Sequence, residues 1–265
     1  PKGSQPASNP KRPRTHCPRT PQGGPAPALT ESVISSFRSQ MRELNMETFY
    51  IHTPYYINFA SLEPRIRHGS IKVVREELER GSKLGARYVM THLGSHTGQT
   101  LEEGMAKVSD AVTQVLAGYD GTTGFLMEIA AGSGNIIGDT FEELAAILGK
   151  VKNLVGFNGI CFDTCHAFAS GYDFRKPELA RGMLEEFDKK IGLEYLKLTH
   201  VNDSKFNLGG KRDRHEHIGD GFIGEGGIAA ILNTPKFCGI DWLLETEDSK
   251  RAEDIEILKK IRPLS

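Results

Sequence analysis

The chain has 265 residues, with 33 Lys and Arg against 34 Asp and Glu and a formal net charge of -1. Its 38% apolar and 25% charged residues supply a sizeable core and exclude a wholly disordered acidic or basic protein. No stretch approaches the roughly 18 consecutive apolar residues of a membrane helix. Four scattered cysteines (Cys17, Cys161, Cys165, Cys238) exclude a disulfide-dense scaffold, so a soluble protein of a reducing compartment with no membrane partner is expected.

Residues 1–28 hold eight of the thirteen prolines, five Lys or Arg and no acid. Each proline fixes φ and removes a donor, so this stretch reads as a disordered, Pro-rich basic tail preceding one domain over 29–265. Thr30 then caps a helix whose Val33, Ile34, Phe37, Met41 and Leu44 follow the 3.6-residue period. Strands are predicted at Thr48 to His52, Arg87 to His92, Phe125 to Glu128, Ile160 to Asp163, Leu196 to His200 and Trp242 to Glu245. Helices are predicted near 70–84, 101–117, 140–148, 177–191 and 251–261, the third opened by a Thr140/Glu143 capping box. Short apolar strands separated by amphipathic helices make βα units and a parallel sheet.

The six strands end in His52, His92, Glu128, Asp163, His200 and Glu245, spaced by 40, 36, 35, 37 and 45 residues. A single polar strand ending usually faces solvent. Six imidazoles and carboxylates in succession, one per βα unit, instead suit a parallel barrel that gathers its carboxyl-terminal strand ends at one mouth. His, Asp and Glu without thiolate are the ligands of zinc or manganese. Cys161 and Cys165 flank Asp163 on the same strand face, and their C-x-x-x-C spacing reads as buried packing. His166 follows Asp163 where the chain turns. In the loop after His200, Asp213 and His215 alternate, so in an extended segment both point the same way and can grip one cation. His68, His96 and His217 carry no assigned role.

The strings His52-Thr53-Pro54-Tyr55-Tyr56-Ile57-Asn58, His92-Leu93-Gly94-Ser95-His96, Glu128-Ile129-Ala130-Ala131-Gly132, Asp163-Thr164-Cys165-His166, His200-Val201-Asn202-Asp203, Asp213-Arg214-His215 and Glu245-Thr246 together resemble the endonuclease IV family. The resemblance runs in order from about residue 29 to the end. It implies a zinc-dependent apurinic/apyrimidinic endonuclease of base excision repair on a TIM (β/α)8-type barrel. It also implies three zinc ions, with manganese an option at one site. His52, His92 and Glu128 would hold the first, Glu128 would bridge to a second completed by Asp163, His200 and Glu245, and His166, Asp213 and His215 would hold the third. Four carboxylates against three dications leave a formal charge near +2, which favours an anionic phosphodiester. The implied reaction cuts duplex DNA 5′ to an abasic site, leaving a 3′-hydroxyl and a 5′-deoxyribose phosphate. Glu128, as the bridge, is the residue on which catalysis turns.

By the same resemblance Tyr55 wedges into the duplex at the lesion, with Tyr56 beside it, while Lys205, Lys211, Arg212 and Arg214 are placed to meet phosphates. A monomer is expected, cytoplasmic in a prokaryote and nuclear or mitochondrial in a eukaryote. The family normally begins with two further βα units, so the expectation is an incomplete barrel with six of eight strands and exposed edges. Two other readings follow: a metal-dependent sugar isomerase or epimerase of the same barrel type, and a shortened, inactive product that still binds metal or DNA.

Overall fold

The computed structural model describes residues 26–262. Of the basic tail expected over 1–28, residues 1–25 lie outside the described residues, as do the last three of the domain expected over 29–265. The elements are α1 (Glu31–Glu43), β1 (Tyr50–His52), α2 (Pro64–Leu84), β2 (Tyr88–Thr91), α3 (Leu101–Leu116), β3 (Gly124–Glu128), α4 (Phe141–Val151), β4 (Phe157–Asp163), α5 (Thr164–Ser170) and α6 (Pro177–Lys190). They continue with β5 (Leu196–His200), β6 (Asp203–Ser204), β7 (His215–Glu216), α7 (Gly224–Leu232), α8 (Pro235–Cys238), β8 (Asp241–Leu243) and α9 (Arg251–Ile261). Six strands form one all-parallel sheet in the order β1-β2-β3-β4-β5-β8, and β6 and β7 make a small antiparallel ribbon. This is the α/β barrel architecture expected, with six strands and an open seam.

Alternation along each strand builds two apolar layers. Outward residues such as Ile51, Val89, Phe125 and Phe162 join the helices' buried faces (Leu78 and Val112 among them) in the main core. Inward residues Tyr50, Met90, Leu126, Cys161 and Leu198 form a separate cluster inside the curve, with Leu243 against it. Each lies two residues before a strand-end polar residue, so the apolar layer is the floor on which the polar mouth stands.

Several sequence expectations shift. In α1 only Ile34 and Met41 are buried and Phe37 packs on the core, while Val33 and Leu44 are exposed. Helix α2 begins at Pro64, where proline at the first turn needs no N–H partner. Thr140 caps α4 through the Glu143 N–H, but the expected capping box is only half made. Glu143 Oε2 accepts the Gly138 N–H at 2.7 Å instead of returning to Thr140. The reciprocal box belongs to Thr100 and Glu103 on α3. Cys165 does not share a strand face with Cys161; it sits in α5, buried like Cys161.

Among the described residues β1 and β8 share no backbone hydrogen bond, yet the sheet curls until they face each other. The Tyr50 hydroxyl of β1 donates to Asp241 Oδ2 of β8, which also accepts from Arg87 at 3.0 Å. A cavity of about 180 Å³ lies along this seam, between Phe49 and Met90 on one side and Leu243 and Leu244 on the other. It reaches His52, His200 and Glu245.

Candidate metal centre

At the carboxyl end of the sheet, ladder register places Asp163 beside His200 and His52 beside Met90. Gly94 lets the β2 loop dock: at φ +101 it lies where a Cβ would strike the Asn58 side chain at 2.3 Å. Asn58 Oδ1 meanwhile accepts the Ser95 N–H. That contact ties together the two loops that follow His52 and His92.

Glu128 is at the centre, wholly buried. Its Oε2 lies 2.7 Å from His52 Nε2 and 4.0 Å from His92 Nε2. Its Oε1 lies 2.8 Å from His200 Nδ1 and 3.5 Å from His166 Nδ1. His200 Nδ1 is also 3.1 Å from Glu245 Oε2 and 3.8 Å from Asp163 Oδ2. Asp163 doubles as the N-cap of α5, accepting the His166 N–H at 2.9 Å, and so sets His166 one turn beyond itself. The β6–β7 ribbon then folds Asp213 and His215 back. His166 Nε2, Asp213 Oδ1 and His215 Nε2 form a triangle with sides of 3.1, 3.3 and 3.4 Å. The ribbon loop is anchored at Lys211, whose N–H donates to Ala169 O and whose carbonyl accepts from Ser133 Oγ.

All nine residues expected as ligands therefore converge. His52, His92 and Glu128 bring donor atoms within 4.8 Å of one another, and so do Glu128, Asp163, His200 and Glu245, and His92, His166 and Asp213. The set fits divalent cations. Five imidazoles and four carboxylates are hard or borderline donors, and His92 Nδ1 is buried with no hydrogen-bond partner among the described residues.

The electrostatics show how strongly the groups feel one another. Burial pushes His92 down to about 4, a fall that Glu128 opposes and the neighbouring His166 and His52 reinforce. Burial also opposes charge on His166, but Asp163, Asp213 and Glu128 outweigh it and hold that ring up at about 10. His52 and His200 are raised, the first mainly by Glu128 against its own desolvation. Glu128 is held well below its usual range by His200, His92 and His52 despite burial, and Asp213 is drawn to about 2 by His166. Burial leaves Asp163 raised. It also raises Cys161 to about 12, consistent with a floor residue.

The residues expected to contact DNA lie on the loop after β1 (Tyr55, Tyr56) and in and beside the segment joining β6 to β7 (Lys205, Lys211, Arg212, Arg214). Tyr55 is 87% exposed and Tyr56 37%. Lys205, Lys211, Arg212 and Arg214 are exposed; Lys211 Nζ lies 3.9 Å from Asp139, Lys205 Nζ lies 4.0 Å from Glu247, and Arg212 covers the Phe206 ring. His217, given no role from sequence, is buried against Asp254 at 2.9 Å. Two residues gained no role from sequence beyond their place in a string. Asn202 touches Asp163. Asp203 accepts the N–H groups of Ser204, Gly219, Ile223 and Gly224, which fixes the loop leaving the ribbon. Asn202 follows His200 by two, so strand alternation alone would have turned it toward the site.

The class follows from fold and family model together: the model described as a xylose isomerase-like TIM barrel matches residues 15–261. A D-tagatose 3-epimerase-like protein shares that fold, with a TM-score of 0.70 at 21% identity over 88% of this chain and 83% of that one. Within the class the similarity narrows. A probable endonuclease 4 of Halothermothrix orenii is 36% identical over 245 residues, 92% of this chain and 88% of that protein. One of Carboxydothermus hydrogenoformans is 38% identical over 92% and 85%. The crystal structure of endonuclease IV from Thermus thermophilus superposes with a TM-score of 0.78 at 30% identity, covering 92% and 85%. The chain belongs to the endonuclease IV family, and thereby to the hydrolytic enzymes. Among the described residues no helix is long and apolar enough to cross a membrane.

Proposed function

We propose that this chain is a zinc-dependent apurinic/apyrimidinic endonuclease of base excision repair. It acts as a monomer on duplex DNA and hydrolyses the phosphodiester 5′ to an abasic site, leaving a 3′-hydroxyl and a 5′-deoxyribose phosphate. The observation that supports this most is the gathering of eight imidazole and carboxylate side chains around Glu128, from the strand ends and the residues just past them, from α5, and from the segment leading into β7. Three zinc ions suit that set: one with His52, His92 and Glu128, one with Glu128, Asp163, His200 and Glu245, and one with His166, Asp213 and His215. Bound zinc supplies positive charge against the phosphodiester and lowers the pKa of water at the site.

The protein's own part is positional. Glu128, with both oxygens engaged by rings from different strands, fixes the spacing between neighbouring sites. Tyr55, exposed on the loop after β1, fills the space an abasic nucleotide leaves when it quits the stack, a departure that costs least where pairing is already lost. Lys205, Lys211, Arg212 and Arg214 meet backbone phosphates, which orients the duplex without reading its sequence. The sugar isomerase reading has less support, because a proton or hydride shift has no need of the Asp213–His215 ribbon closing on His166.

The test is nicking of a duplex carrying one synthetic abasic site. Nicking that stops when zinc is stripped and returns on adding it supports the proposal. Intact duplex with the zinc-loaded chain refutes it. Metal analysis separates the readings: about three zinc ions fit the nuclease, one or two the isomerase, and little or none the inactive product.

A further inference from the structure

Asn202 lies two residues past the end of β5, wholly buried, and faces the same side as His200. Its carboxamide does two opposite things at once. Nδ2 donates to Asp163 Oδ2 at 2.7 Å, and Oδ1 accepts the Glu245 N–H at 2.9 Å. Its backbone is pinned as well. The Asn202 N–H donates to Thr164 Oγ1 at 2.9 Å, and that hydroxyl donates to Asn202 O at 2.6 Å.

The need for such a residue lies in the end of the ladder. Strand β8 stops at Leu243, and the Val201 N–H to Leu243 carbonyl bond of 2.7 Å is the last backbone link between β5 and β8 at this corner among the described residues. Glu245 lies beyond it, with a side chain 31% exposed that must still reach His200. The Asn202 amide supplies the link the ladder lacks, and with its other end orients the Asp163 carboxylate. Aspartate offers no donor to Asp163, alanine offers neither group, and glutamine is a methylene too long for a closed site.

We propose that Asn202 is a positioning residue for the cation held by Glu128, Asp163, His200 and Glu245, setting two carboxylates from strands that are not neighbours. The inference rests on the metal-centre reading above. Partners that orient metal ligands are typically worth about 10–100-fold in affinity.

The experiment uses the full chain and its Asn202→Asp and Asn202→Ala variants, loaded with zinc and titrated against a chromophoric chelator. Unfolding of each is followed in excess chelator. The expected result is one zinc ion released about 10–100-fold more readily than in the wild type. The remaining ions should be held normally, and Glu245→Gln should lose the same ion. At least one Asn202 variant should unfold within a few degrees of the wild type in chelator. Full zinc retention within threefold of wild-type affinity in both variants overturns the proposal. So does parallel loss of all ions and of cooperative folding, which marks a purely structural role. A wild-type chain that retains no zinc at all overturns the metal-centre reading, and this inference with it.

Discussion

Tyr50 and Asp241 stand on the first and last strands of the sheet, and their side chains join hydroxyl to carboxylate across a seam that no backbone hydrogen bond closes among the described residues. An open sheet edge is a liability, because its unpaired N–H and C=O groups invite other chains. This contact, with Arg87 on the same carboxylate, draws the two edges together. Tyr50→Phe keeps the ring in the floor and removes only the donor. Asp241 is 43% exposed and retains Arg87, so the expected cost sits at the low end for a hydrogen bond to a charged group. That is about 1.5 kcal/mol, or about 3–6 °C in Tm by calorimetry. An unchanged Tm would leave the seam held by packing and by Arg87 on Asp241, without the Tyr50 hydroxyl.

The same pair gives a pH dependence. Burial first, then Asp241, raises the Tyr50 pKa well above the value near 10 of a free tyrosine. The fold therefore holds a proton that the unfolded chain gives up. The stabilisation is fully present below about pH 10 and is lost as pH climbs from there through the raised pKa. Urea unfolding between pH 9 and 11 should show stability falling, and falling less steeply in Tyr50→Phe. Equal slopes in the two proteins would remove Tyr50 from the account.

Glu128 offers a sharper test of the centre. Its two oxygens face His52 and His200 at 2.7 and 2.8 Å, and among the described residues it is the carboxylate shared by the His52–His92 group and the Asp163–His200–Glu245 group. Glu128→Ala should lower the zinc content and abolish nicking, a loss exceeding the roughly 10–100-fold typical of outer-shell changes. Full activity in that variant would refute the ligand assignment.

Metal uptake should also release protons, unequally from the imidazoles. His166, held up at about 10, is charged at neutral pH and must lose its proton to bind a cation, whereas His92, at about 4, is already neutral. Zinc affinity should therefore rise with pH across the neutral range. Calorimetric titration in buffers of different ionisation enthalpy should count fewer protons released by His166→Ala, while His92→Ala should leave the count nearly unchanged. Equal counts for both variants would contradict the charges assigned to these rings.

Much of this centre was legible because a strand has a period of two. Tyr50 and His52, Met90 and His92, Leu126 and Glu128, Cys161 and Asp163, Leu198 and His200, and Leu243 and Glu245 are each a floor residue followed by a mouth residue. That repeat can be read from the chain before any coordinate. What escaped depended on contacts between distant segments. Helix α7 carries Gly224, Gly226 and Gly227, so propensity argues against it, and only the burial of Ile228, Ile231 and Leu232 sustains it. Helix α5 is seven residues long, too short for periodicity to reveal, although Asp163 at its N-cap was a usable signal. The near-closure of the sheet through Tyr50 and Asp241, 191 residues apart, had no local signature at all.

Tyr55 separates binding from folding more cleanly than any residue at the mouth. At 87% exposure its ring contributes little to the core, so Tyr55→Ala should change stability by less than about 0.5 kcal/mol. Stacking of an aromatic ring on a base is worth about 1–3 kcal/mol, and a wedge at a lesion draws on the same contact. Affinity for a duplex with one abasic site should fall about 5- to 150-fold in fluorescence anisotropy. Affinity for undamaged duplex, which the proposed function assigns to phosphate contacts from residues such as Lys205 and Arg214, should hardly move. Hydrolysis of a small phosphodiester such as bis(p-nitrophenyl) phosphate, which has no neighbouring base pairs for a wedge to enter, should be unaffected. Equal losses on damaged and undamaged duplex would make Tyr55 a general contact, and a matching loss on the small substrate would place it within the metal centre.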